Sequence, residues 1–197
     1  MKSIDGIYED ELVINKSKFL AFAYPITSDE MAKEYLVNLR REYSDATHVC
    51  SAYSLSTPRL EKADDDGEPS GTAGKPLLEL IKKKNLENVL LVVVRYFGGI
   101  KLGAGGLVRA YTNAGNLVLD KACVVNIIEV DKYRAKIEVS KGSRLLETIR
   151  NLGGEVLTCV YNETMEVEFV GNIKDQIEAI FHDVDIDRIG SETICQK

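Results

Sequence analysis

The chain has no tryptophan, two histidines, four prolines and four cysteines. Each scarcity excludes something. Cys50, Cys123, Cys159 and Cys195 are widely spaced and form no C-x-x-C pair. Neither a zinc site nor a disulfide framework is expected, and reduced thiols in the cytosol are the simple reading. His48 and His182 lie in different halves, and no H-E-x-x-H occurs, which argues against metallopeptidase chemistry. The longest aliphatic run, Val89–Val94, is too short to cross a bilayer. The opening segment MKSIDGIYEDEL lacks the apolar stretch of a secretory signal. Positive charge is also short: the net charge is −6, with −2 over residues 1–130 and −4 over 131–197. A nonspecific nucleic-acid coat needs a basic surface, and neither half supplies one.

What remains is a foldable chain of 197 residues, 45% hydrophobic, long enough for one or two domains. Glu11–Ile14 and Lys18–Ile26 read as a strand pair. Met31, Ala32, Tyr35, Leu36 and Leu39 recur at helical spacing behind Ser28, a good N-cap residue. Ala46–Leu55 reads as a strand, Thr57–Ser70 as a polar loop, and Gly74–Lys84 as a short helix with Pro76 in its first turn. Val89–Val94 is apolar on both faces, as a central strand should be. Beyond a boundary near residues 126–131 a second pattern starts, with strand, helix, two strands, helix and strand in that order. That is the ferredoxin-like plan. Two domains are therefore expected, 1–130 and 131–197.

The most concentrated signal is Asn88–Ala114, NVLLVVVRYFGGIKLGAGGLVRAYTNA. Gly98, Gly99, Gly103, Gly105 and Gly106 fall within nine residues, between the apolar strand and a helical pattern. Such a turn can offer backbone N–H groups to an anion. Arg95, Lys101 and Arg109 flank it, so a phosphate or carboxylate is the natural ligand. The spacing matches neither G-x-x-x-x-G-K-[ST] nor G-x-G-x-x-G. The competing reading is structural: glycines for positive φ and close packing.

Asp64, Asp65, Asp66 and Glu68 form an acidic run. It lacks calcium-loop spacing, and a solvated turn, a Mg²⁺ site or a latch onto the flanking cations all remain open. His48 and Cys50 share a strand face, but two residues apart they make a poor nucleophilic pair. On the second domain's open sheet face, Arg134, Lys136, Glu138, Glu166 and Glu168 give a mixed field without aromatics. Base stacking is disfavoured there.

Four segments, KSKFLA (Lys16–Ala21), ATHVCSAYSL (Ala46–Leu55), DDDGEPSGTAGKPLLELI (Asp64–Ile81) and VVVRYFGGIKLGAGGLVRAY (Val92–Tyr111), together closely resemble the IMPACT/YigZ family in its bacterial two-domain form. The resemblance covers essentially all of residues 1–130. It implies an α+β protein: a ribosomal protein S-five second-domain-like α/β domain followed by a ferredoxin-like domain, similar to the last two domains of elongation factor G. It implies a cytoplasmic, non-enzymatic regulator of translation or stress response that binds ribosome, RNA or a translation-associated protein, with no cofactor and no membrane association. With the glycine-loop reading it nominates as binding residues Arg95, Tyr96, Gly98, Gly99, Lys101, Gly103, Gly105, Gly106 and Arg109, with Asp65, Asp66 and Glu68. The alternative is a phosphate- or nucleotide-binding enzyme using the glycine loop and the acidic run.

Overall fold

The computed structural model describes the backbone of residues 1–196 and the side chains of residues 1–192. Cys195 lies outside the described side chains. Two compact units divide the chain, Met1–Asn126 and Ile127–Gln196.

The first unit runs β1 (Lys2–Ile4), β2 (Tyr8–Ile14), β3 (Ser17–Pro25), α1 (Asp29–Glu42), β4 (His48–Leu55), β5 (Leu60–Asp64), α2 (Gly74–Lys83), β6 (Val89–Tyr96) and α3 (Gly103–Lys121). Its main sheet has the order β2-β3-β6-β4-β5. The aliphatic run takes the central place: β6 pairs antiparallel with β3 on one side and β4 on the other. Both its faces are covered, which is why it carries no polar alternation. Leu91 and Val93 face α2 and α3 together with Phe19, Ala21, Cys50 and Ala52. Leu90, Val92 and Val94 face α1 with Phe22, Tyr24, Val49 and Tyr53. The helix α1 starts where the sequence places it: the Ser28 side chain accepts the Met31 N–H at 3.1 Å.

The strand β1 is not expected from the sequence, and a further departure lies at the sheet edge. Leu60–Asp64, inside the expected polar loop, is strand β5, paired antiparallel with β4. Its residues are half-buried or exposed, so no apolar pattern marks it. A short, charged edge strand of this kind resists pairing with other chains.

The strand β7 (Val124–Ile137) opens by pairing with β1 at the end of the first unit. In the second unit it is followed by α4 (Val139–Asn151), β8 (Glu155–Tyr161), β9 (Met165–Val170), α5 (Lys174–Ile180) and β10 (Asp185–Gln196). There the strand order is β8-β9-β7, with β10 also on β7. Tyr133, Ala135, Ile137, Leu145, Ile149, Val167 and Phe169 form its core. The charges on the other sheet face pair across strands: Arg134 with Glu168 at 2.8 Å, Lys132 with Glu168 at 3.1 Å and Lys136 with Glu166 at 3.1 Å.

Candidate functional site

The glycine-rich connection between β6 and α3 closes over one end of the sheet, and its glycines do different jobs. A Cβ on Gly98 would overlap the backbone of Lys16 and Ser17, so Gly98 is required by close packing. Gly99 and Gly103 take φ of +82° and +70°, a region that favours glycine. Gly106 would place a Cβ 3.1 Å from the Leu102 side chain. Gly105 differs from all of these. It lies in the first turn of α3, and a Cβ there would meet nothing within 4 Å.

Beneath the loop sits a buried ion pair. Arg95 donates from Nη1 to Glu68 Oε1 at 2.5 Å, with both side chains almost fully enclosed. The Tyr111 hydroxyl donates to the same Glu68 oxygen at 2.8 Å. Arg95 also reaches Ser17 Oγ at 3.4 Å, and its guanidinium lies 5.4 Å from the Phe19 ring centre and 5.5 Å from that of Phe97. Its Nε, buried, has no hydrogen-bond partner among the described residues. A buried charged donor left without a partner is costly and needs an explanation.

The acidic run is committed to the fold. Asp65 accepts the N–H groups of Gly71, Ala73 and Gly74 at 2.7, 2.9 and 2.8 Å, capping α2 from a distance where Ala73 itself offers no side-chain cap. Asp66 accepts the Val49 N–H at 2.6 Å and faces Arg40, while its carbonyl accepts the His48 Nδ1–H at 2.8 Å. Glu68 is the latch to Arg95. Among the described residues no three His, Cys, Asp or Glu side chains come together as a metal-binding group. The Cys50 thiol lies 3.0 Å from the Asp65 carbonyl and 3.3 Å from the Tyr111 hydroxyl. Burial pushes its pKa up to about 12, so it stays a neutral thiol.

Asp65 carries a pH consequence. Burial opposes its ionisation, but the three N–H donors outweigh burial and hold the carboxyl below its usual range. A depressed folded-state pKa stabilises the fold above the unfolded value of about 3.9. That contribution is lost as pH falls through the lower folded value. Asp65→Asn is therefore expected to cost about 1–2 kcal/mol at neutral pH and to flatten the acid limb below about pH 4. Urea midpoints measured from pH 7 to pH 2.5 test this; an unchanged acid limb would contradict it.

Glu68, Pro69, Arg95, Phe97, Lys101, Leu102, Gly103, Ala104 and Leu107 line a cleft of about 350 Å³ at this point. It gathers four of the nominated residues: Glu68, Arg95, Lys101 and Gly103. The first turn of α3, with Gly105 and Gly106, adjoins it, and α3 has no side-chain cap at its N-terminus. Lys101 and Arg109 are exposed and form no ion pair among the described residues. Tyr96 is not brought to the cleft: neighbours on a strand face opposite ways, and its hydroxyl donates to Asp45 at 2.8 Å. Asp65 and Asp66 support the loop without lining the cleft. Ser17, His48, Phe97 and Tyr111 were not nominated. A larger groove of about 680 Å³ between α2 and α3 contains none of the nominated residues.

The arrangement has a recognisable pedigree. The family model described as the Impact N-terminal domain matches residues 15–119. The IMPACT family member YvyE of Bacillus subtilis is 50% identical over 52% of this chain, an alignment spanning 48% of YvyE, about half that relative's length. The IMPACT family member YigZ of Escherichia coli is 32% identical over 75% of this chain and 74% of its own. A crystal structure described as that of a hypothetical protein is 26% identical and covers 97% of this chain and 98% of its own, with a TM-score of 0.70. The segments that build the buried latch and the glycine loop fall inside the matched range, and the chain belongs to the IMPACT family.

Proposed function

We propose that this protein is a non-enzymatic, cytoplasmic regulator of translation whose first unit grips an anionic group of the ribosome, of RNA or of a translation-associated protein at the glycine-loop cleft. The translational setting comes from the family resemblance, and so do the ribosomal protein S-five second-domain-like and ferredoxin-like names for the two units. The single observation behind the anion grip is Arg95. A cation 4% exposed lines the cleft with its Nε unsatisfied, beside the uncapped N-terminus of α3. Backbone N–H groups and the helix dipole there favour negative charge. Lys101 adds an exposed cation to the cleft lining, whereas Arg109 lies on α3 outside that lining. The net charge of −6 does not forbid this, because a local patch sets the local potential.

The enzymatic alternative needs carboxylates free to hold Mg²⁺ or act as a base, and Asp65, Asp66 and Glu68 are bound to protein donors. Co-sedimentation with ribosomes across a salt series tests the proposal. Wild-type protein is expected to pellet at low salt. Lys101→Ala should weaken binding severalfold and lower the slope of log affinity against log salt by about 0.7–0.9, while Arg109→Ala, outside the cleft lining, should change both less. Co-sedimentation indifferent to Lys101→Ala would remove the cleft from this role.

A further inference from the structure

We infer that the cleft is built for single-stranded RNA, with one phosphate at the N-terminus of α3 and the adjoining base stacked on Phe97. This rests on the anion reading above and adds a ligand class to it. Phe97 is a large apolar ring left 45% exposed at the mouth of a cationic cleft. It is held firmly. Its own N–H donates to Thr47 Oγ1 at 2.9 Å, and the next N–H, of Gly98, donates to Ser17 Oγ at 3.1 Å. The Arg95 guanidinium, 5.5 Å from the ring centre, occupies one side and leaves the exposed remainder to a visitor.

A carboxylate or free phosphate would account for Lys101, Gly103 and the unsatisfied Arg95 Nε, but not for an exposed aromatic beside them. A nucleotide accounts for both, because every base offers a π-face and every link a phosphate. The cleft's volume, about 350 Å³, sits at the small end of ligand pockets and suits one nucleotide rather than a duplex. A-form duplex also keeps its bases stacked and unavailable.

Fluorescence anisotropy on the full chain tests this with four probes: labelled oligo(U) of ten residues, a duplex RNA of equal length, an acidic peptide, and tripolyphosphate as competitor. Oligo(U) is expected to bind at least tenfold more tightly than the duplex. Phe97→Ala should weaken oligo(U) about 10- to 100-fold, while Phe97→Trp restores it. Competition by tripolyphosphate should fall with Lys101→Ala and not with Phe97→Ala. Circular dichroism of Phe97→Ala confirms that the fold is intact. If tripolyphosphate competes but Phe97→Ala leaves oligo(U) affinity unchanged, the stacking inference fails and the anion reading survives. If neither probe binds, both fail. Preferential binding of the acidic peptide at this cleft overturns the RNA assignment.

Discussion

Glu68→Ala is expected to destabilise the first unit by about 3–5 kcal/mol, the largest effect of any single side-chain truncation at the site. The substitution strands the almost fully buried Arg95 without its closest partner, and removes the acceptor of the Tyr111 hydroxyl, leaving that hydroxyl only the Cys50 thiol. Against a typical stability of about 5–15 kcal/mol, that takes up much of what holds the unit folded. Chemical denaturation followed by circular dichroism measures it. The control is Glu68→Leu/Arg95→Met/Tyr111→Phe, which removes every polar group of the latch while keeping its volume. It should recover to within about 1–2 kcal/mol of the parent, because buried ion pairs rarely outperform apolar replacements of the same shape. If it does, stability cannot be why the chain keeps a buried charge here. The same triple variant should then fail to bind the anionic probes, since Arg95 would be missing from the cleft. A triple variant as unstable as Glu68→Ala would instead make the latch a structural necessity.

The sequence carried much of this, unevenly. The central strand was legible because burial on both faces leaves a composition, Val89–Val94, that few other positions tolerate. The start of α1 was legible because a cap is a local event. The strand β5 was not, because an edge strand is defined by its partner: Leu60–Asp64 is a strand only beside β4. The acidic run posed the same difficulty in chemical form. Nothing local distinguishes a solvated turn from carboxylates aimed at N–H groups six to nine residues on, which is what Asp65 does. Tyr96 was a different matter, since strand parity alone places it opposite Arg95. His48 and Tyr111 sat in segments already singled out. Their roles depend on contacts spanning 43 residues, from Tyr111 to Glu68, and 18, from His48 to Asp66, that no spacing rule encodes.

Gly98→Ala is expected to be nearly as damaging as loss of Glu68, and its comparison with Gly105→Ala separates the two meanings of the glycine loop. At Gly98 the added methyl collides with the main chain of Lys16 and Ser17, which no rotamer change relieves. The turn between β2 and β3 would have to shift, and with it the Ser17 hydroxyl that holds Gly98 N–H and approaches Arg95. A cost of about 3 kcal/mol or more follows, at the upper end for overpacking because the obstacle is backbone. At Gly105 the methyl enters open space on a helical residue, so alanine should stabilise α3 by up to about 1 kcal/mol through backbone entropy alone. A residue that weakens its helix and packs against nothing is explained if a ligand approaches the first turn of α3. Gly105→Ala should therefore raise the denaturation midpoint while weakening oligo(U) and tripolyphosphate binding severalfold, and bulkier Gly105→Val should weaken binding further. Gains in stability with no loss of binding would place the ligand away from this turn, and would reduce the glycine loop to the packing role that Gly98 already demonstrates.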